Sequence, residues 1–244
     1  MAGTYTPNDA ITLARQFSHK IPADVVQAYV CDAVNSRIWT QFTWNWTLAS
    51  LTAITCTNAT QDYTIANSDF YRMAWARIVR TDLSPVEYRE MNQKKHLSPE
   101  ITLRGGLETI RLFSYEAAIS KLRLDRAADV SGTIVLQIQG EYQKKPTKID
   151  DTAMGTVLDL PDHYFHVFFE GVRWKLYELS DDPRAGVMKI DSEGNAGYTG
   201  QLGVFMTALF AMQQAEDLSD GEDVAYPENP LGVPRDNFQP RVFG

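Results

Sequence analysis

Three side chains in the C-terminal half of the chain could hold a metal ion. His163, His166 and Glu170 are spaced i, i+3 and i+7, so a helix would place them on one face. Imidazole nitrogens and a carboxylate are ligands that divalent metals accept, and Asp159 and Asp162 precede them. The same residues would equally form the solvated face of an amphipathic helix. Because the spacing specifies no fourth ligand, we expect the solvated face and no metal.

Other patterns associated with catalysis are missing from the sequence. It contains no GxGxxG, P-loop, GxSxG or HExxH motif. The run from Asp191 to Asn195 has the acidic character of a calcium loop but not its alternating ligands, so it predicts a turn. Cys31 and Cys56 have no CxxC spacing, and we expect two buried, reduced thiols. We therefore predict no enzymatic activity and no cofactor.

Charge is unevenly distributed along the 244 residues, whose formal net charge is −8. Residues 1–86 carry six Lys and Arg against six Asp and Glu, residues 87–148 carry eleven against eight, and residues 149–244 carry six against seventeen. Clustered Lys and Arg of the kind that bind phosphates are few, which argues against DNA binding by affinity. An acidic surface would instead repel a DNA duplex passing it. No long apolar stretch or signal peptide is present, so we expect no membrane span and no export.

The elements that would position these residues are helices at both ends and strands in between. Apolar residues at helical spacing predict four helices, at about Asn8–Phe17, Pro22–Trp39, Pro161–Leu179 and Tyr198–Leu218. Between them, period-two patterns predict six strands: LTAITC, QDYTI, RMAWARIVRT, TIRLFSY, ISKLRLDRA and GTIVLQIQGEY. Ser84–Leu97 is predicted as a short helix, because Ser84-Pro85 is a good helix start with Glu87 at the capping position.

The sequence therefore predicts an α+β fold in which an α-helical bundle core is interrupted by a β-rich insertion. Residues 1–41 form the first part of the helical core, residues 42–157 the insertion with its one short helix, and residues 158–222 an antiparallel helix pair. Residues 223–244 contain four prolines and no apolar periodicity, which favours an extended C-terminal arm. Tyr226, Leu231, Phe238 and Phe243 are the side chains of this arm that could enter a partner's pockets.

In order and spacing, the chain resembles the head-to-tail connector (neck, or adaptor) proteins of tailed bacteriophages. The resemblance covers about Ala23 to Gly221 and is closest to the adaptors beneath the portal of short-tailed phages, including the tail tubular A type. It rests on the helix followed by W-x-W and on five segments: QDYTI, FYRMAWARIVRTD, EYREMNQKKHL, YFHVFFEGVRWKLYEL and AEDLSDGE.

The resemblance implies a virion structural protein of the neck or tail, made in the host cytoplasm. Copies would form a ring, commonly dodecameric, that extends the portal channel, carries the tail or nozzle protein and lets double-stranded DNA pass without sequence recognition. The C-terminal arm would insert between portal subunits. A cluster of Phe42, Trp44 and Trp46, continued by Tyr63 and Trp75, would clamp the crossover into the β-rich insertion. Aromatic residues that simply fill the core of one domain would give the same sequence pattern.

Three other functions remain compatible with the sequence. A tail terminator or tail-tube protein would form a ring that is usually hexameric. A metal-dependent hydrolase would use His163, His166 and Glu170. A small-ligand or peptide-binding module would need the aromatic cluster to line an open pocket.

Overall fold

The computed structural model describes residues 4–17, 26–98, 103–190 and 196–219. These residues divide into two compact units. The helix unit contains the described residues up to Trp46 and from Pro146 onward, and the sheet unit is Thr47–Lys145. Each unit has a hydrophobic core of its own.

The described residues of the sheet unit form ten strands. In chain order they are β1 (Leu48–Ser50), β2 (Ile54–Thr55), β3 (Asp62–Thr64), β4 (Phe70–Arg80), β5 (Glu87–Gln93), β6 (Arg104–Gly105), β7 (Leu112–Glu116), β8 (Lys121–Leu124), β9 (Ala127–Ala128) and β10 (Leu136–Lys144). Eight of them form one curled sheet in the order β1-β10-β4-β5-β7-β8-β3, with β2 pairing on β10, and the sheet curves into a half-barrel. The remaining two, β6 and β9, form a small parallel pair.

Alternation along β10 explains which face of the sheet is buried. On β10, Leu136, Ile138 and Tyr142 enter the core, while Gln137 and Gln139 lie on the other face. All pairings in the main sheet are antiparallel except β5 with β7, which is parallel. The apolar side chains of one face therefore supply the core of the sheet unit.

The helix unit contains α1 (Pro7–Phe17), α2 (Gln27–Gln41), α3 (Phe165–Leu179), α4 (Gly200–Ser219) and a hairpin of β11 (Met188–Ile190) with β12 (Ala196–Tyr198). The helix α3 is the centre of this unit, since α1, α2 and α4 all pack on it. Val167, Phe168 and Val172 of α3 are completely buried. The four predicted helices are confirmed, with ends that differ by a few residues.

The predicted fold class is wrong. The chain is mixed α/β, with four helices and a curled sheet, and its strand content exceeds that of a helical-bundle core with an insertion. The physical reason is that the sheet curls around a core of its own, including Phe70, Ile78, Phe113 and Leu122. It is thus a full structural unit rather than an addition to a bundle.

The short helix predicted at Ser84–Leu97 is also wrong, because Glu87–Gln93 forms β5 between β4 and β7. Backbone pairing on both sides outweighs the local capping signal. The strands β11 and β12 flank the turn predicted at Asp191–Asn195, which lies outside the described residues, and neither strand was predicted. The strand predictions for the sheet are confirmed at β2, β3, β4, β7, β8 and β10.

An ion-pair network joins β3 to β8. Arg123 donates from Nε and Nη2 to the two carboxylate oxygens of Asp62 at 2.5 and 2.8 Å, and Lys121 Nζ lies 2.7 Å from Asp62. The hydrogen bond from Arg123 lowers the pKa of Asp62 from 3.8 to about 2. A lowered pKa means that the folded state binds the proton more weakly than the unfolded state does.

We therefore predict that Asp62→Asn lowers the free energy of unfolding by about 1 kcal/mol at pH 7, a value reduced for partial solvent exposure. In the wild type this contribution is present above pH 4 and is lost as the pH falls towards about 2. Urea unfolding at several pH values measures it. Asp151→Asn, at an exposed carboxylate, is the control. A wild type and an Asp62 variant with identical acid dependence would contradict the prediction.

A close approach of helices occurs at Gly171 of α3. A Cβ atom on Gly171 would lie 2.5 Å from Val34 Cγ1 of α2 and 2.8 Å from Phe205 Cε2 of α4. Both distances are shorter than carbon atoms tolerate, and both neighbours are fully buried. Glycine at this position therefore lets α2 and α4 pack on α3.

We predict that Gly171→Ala lowers the free energy of unfolding by about 1–3 kcal/mol, because overpacking outweighs the better helix propensity of alanine. Thermal or urea unfolding gives the value. Gly155→Ala serves as the control, since its Cβ would meet nothing within 4 Å. A Gly171→Ala protein as stable as the wild type would show that the helices can separate without cost.

Candidate functional site

An aromatic cluster lies where the chain leaves α2. It consists of Trp39, Phe42, Trp44, Trp46 and Phe210 of α4. Trp39 meets Trp46 edge-on with ring centroids 5.0 Å apart, and Phe42 meets Trp44 in the same way at 5.3 Å. Such edge-to-face pairs are favoured by the aromatic quadrupole. The cluster fixes the path of the chain from the end of α2.

Trp44 is the anchor of the aromatic cluster. Its side chain is completely buried, and its Nε1–H donates to the carbonyl oxygen of Ile38 at 2.7 Å. That carbonyl lies in the last turn of α2, where helical partners run out. Phe42 has an extended backbone, and Asn45–Thr47 forms a 3-10 turn.

The structure places the other two predicted members in the sheet unit. Tyr63 belongs to the sheet core, where its hydroxyl donates to the carbonyl oxygen of Thr60 at 2.8 Å. Burial raises the pKa of Tyr63. Trp75 is half-buried on β4, and its Nε1–H donates to the Glu141 carboxylate at 2.9 Å. The period-two pattern identified these aromatics but not the unit to which each belongs.

We predict that Trp44→Phe lowers the free energy of unfolding by about 2–3 kcal/mol, since it leaves a cavity and removes the hydrogen bond to the Ile38 carbonyl oxygen. The matched control is Trp75→Phe, which also removes an indole hydrogen bond but at a half-buried position, and should cost less than about 1 kcal/mol. Urea unfolding of the two variants gives the comparison. Equal losses would contradict an anchoring role for Trp44.

The candidate metal ligands are engaged elsewhere. His163 lies in a 3-10 turn, Asp162–Tyr164, before α3 begins, and His166 Nδ1 is 3.1 Å from the His163 carbonyl oxygen. Glu170 accepts from Arg173 Nη1 at 3.0 Å and also from Gln201. Within residues 4–17, 26–98, 103–190 and 196–219, no group of three His, Cys, Asp or Glu side chains could hold a metal ion.

The two cysteines are buried free thiols, as expected. Burial raises the pKa of Cys31 to about 12 and that of Cys56 to about 11. At neutral pH both therefore stay protonated, and neither is a nucleophile. Near the end of α4, Tyr164 donates to the Glu216 carboxylate at 2.9 Å; burial and then this bond raise the pKa of Tyr164 to about 12.

Large apolar side chains are exposed at two places on the helix unit. At the hairpin, every residue of β11 is exposed, including Met188 at 54% and Ile190 at 65%. At the start of α2, Val26 and Tyr29 are exposed by 58% and 56%. Apolar surface grouped in this way is typical of contacts between proteins. The predicted arm residues, Tyr226, Leu231, Phe238 and Phe243, lie outside the described residues.

Comparison with known proteins adds no relative: neither a protein-family model nor a curated protein matches the sequence. None of the described helices has both the length and the apolar composition needed to cross a bilayer. A function is therefore proposed from the exposed apolar surface and the side-chain clusters of the chain itself.

Proposed function

We propose that this chain is a virion structural protein: the head-to-tail adaptor of a short-tailed bacteriophage, which assembles as a ring on the portal. The observation that carries the proposal is the exposure of the apolar side chains Met188 and Ile190 of β11, which a single copy leaves in water. The sequence resemblance to portal adaptors supplies the biological setting. The role is structural, with no catalytic step and no cofactor.

In this role, Met188 and Ile190 are buried against a neighbouring copy. Repeated around a rotation axis, one such heterologous contact closes a ring, and the resemblance to portal adaptors favours twelve copies. The arm, residues 223–244, inserts between portal subunits, and the opposite side carries the tail or nozzle protein. The acidic excess of residues 149–244 limits adhesion of the DNA duplex that passes through the channel. The protein is made in the host cytoplasm and resides in the neck of the virion.

The test combines Met188→Asp with Ile190→Asp in one variant. Wild-type protein mixed with portal should give rings on electron micrographs, with twelvefold symmetry after averaging. The variant should remain folded, because both side chains are already exposed, but should give no rings, since two buried carboxylates without partners oppose the contact. Val86→Asp, at an exposed apolar residue of the sheet unit, is the control.

The symmetry also separates this function from its nearest competitor. A sixfold ring that forms without portal would instead indicate a tail terminator or tail-tube protein. Wild-type protein that stays monomeric and does not bind portal would refute the proposal. If the double variant assembles like the wild type, the proposed ring stands, but the hairpin β11–β12 is not part of its interface.

A further inference from the structure

Among the residues that the structure describes, no oxygen accepts a hydrogen bond from Arg37 of the helix unit. Arg37 lies on α2, partly exposed, and its Nη2 is 3.7 Å from Met206 Sδ of α4, a weak acceptor. Its Nε is buried and has no hydrogen-bond partner in the described part of the chain. Among the described residues Arg37 forms no ion pair, unlike Arg80, Arg123, Arg173 and Arg184. A guanidinium has five N–H donors, so most of the binding capacity of Arg37 is unused.

A second cation lies beside it. The Arg37 guanidinium is 5.3 Å from the centroid of the Trp174 ring, and Lys175 Nζ is 5.5 Å from the same ring. Lys175 is also 5.9 Å from the ring of Tyr29, which is largely exposed, and pairs with Glu178. We call Tyr29, Arg37, Trp174 and Lys175 the cationic surface. Aromatic rings hold its two cations in place, and the Glu178 carboxylate pairs with only one of them.

The strongest acidic feature of the chain is the run EDLSDGED, Glu216–Asp223, in which five of eight residues are acidic. It begins in the last turn of α4, where the helix dipole adds further negative potential. Asp217 is exposed, whereas Glu216 accepts a hydrogen bond from Tyr164. The charge of this run complements that of the cationic surface.

The part of α4 that contacts the cationic surface is far along that helix from the start of the acidic run. Met206, which contacts Arg37, precedes Asp217 by eleven positions, and at 1.5 Å per residue this separation is roughly 16 Å. Asp217 of the same copy therefore does not reach Arg37, whereas that of another copy could. A contact in which one end of a copy meets a different surface of the next is heterologous, the kind that builds rings.

We propose that the cationic surface binds the acidic run Glu216–Asp223 of a second copy, with Arg37 as the principal contact. The inference rests on the proposed ring and names two of its contacting surfaces. Each carboxylate that reaches Arg37 replaces a sulfur contact by a charge-assisted hydrogen bond.

The test uses two complementary charge reversals, Arg37→Glu and Asp217→Arg. Either protein alone places like charges at every contact and should not form rings on portal. In an equimolar mixture, the carboxylate introduced by Arg37→Glu faces the guanidinium introduced by Asp217→Arg, and the native Arg37 faces the native Asp217, so alternating rings should form. Arg80→Glu, at an arginine paired with Asp82, is the matched control and should assemble alone. Circular dichroism confirms that each variant is folded.

A second measurement does not depend on ring formation. A fluorescent peptide with the sequence AEDLSDGED should bind wild-type protein, and Arg37→Met should weaken this binding roughly tenfold or more. The same variant should remain folded, because it removes the contact of the guanidinium with the Trp174 ring but breaks no ion pair among the described residues of a single copy. A peptide with Asn and Gln at the acidic positions should not bind.

The outcomes separate the inference from the proposed function. If wild-type rings form, and the two reversed proteins also assemble separately, the inference is wrong and the ring stands. If no wild-type rings form on portal, the proposed function fails, and the peptide alone decides whether Arg37 binds the acidic run. Peptide binding that is equal in wild type and Arg37→Met overturns the inference in either situation.

Discussion

The helix unit depends on the close approach of α2 and α4 to α3 at Gly171. Because no side chain separates the helices there, Val34 and Phe205 contact the backbone of α3 directly. Trp174, one turn further along α3, stacks on Phe205 with ring centroids 5.7 Å apart. This stacking fixes the position of the Trp174 ring, and the Arg37 guanidinium lies over that ring. A packing constraint in the core thereby fixes the position of charges at the surface.

Much of the secondary structure could be predicted from the sequence, because periodicity records which side chains are buried. Phe165, Phe168 and Val172 are spaced for a helix, and all three lie in the core. The strand at Glu87–Gln93 could not be predicted from periodicity. It buries only Met91, so its own pattern is weak, and its structure comes from backbone pairing with β4 on one side and β7 on the other. The three-residue strands β11 and β12 are too short for any period to be visible.

The candidate site was also predictable from the sequence only in part. Phe42, Trp44 and Trp46 could be identified because aromatics on alternate residues are a local signal. Arg37 could not be identified from the sequence. What distinguishes it is its contact with Met206 and Trp174, and both residues are distant from Arg37 in sequence. The order of helices and strands along the chain likewise predicted a helical bundle with an insertion, whereas the chain has a sheet with its own core.

The two native thiols have a practical consequence. Cys31 is completely buried in the helix unit and Cys56 is nearly so in the sheet unit, and both remain protonated at neutral pH. Thiol reagents should therefore react slowly with the folded wild-type chain. A cysteine introduced at any exposed position would be the reactive one, so that cross-links and spectroscopic labels could map how copies meet without first removing the native residues.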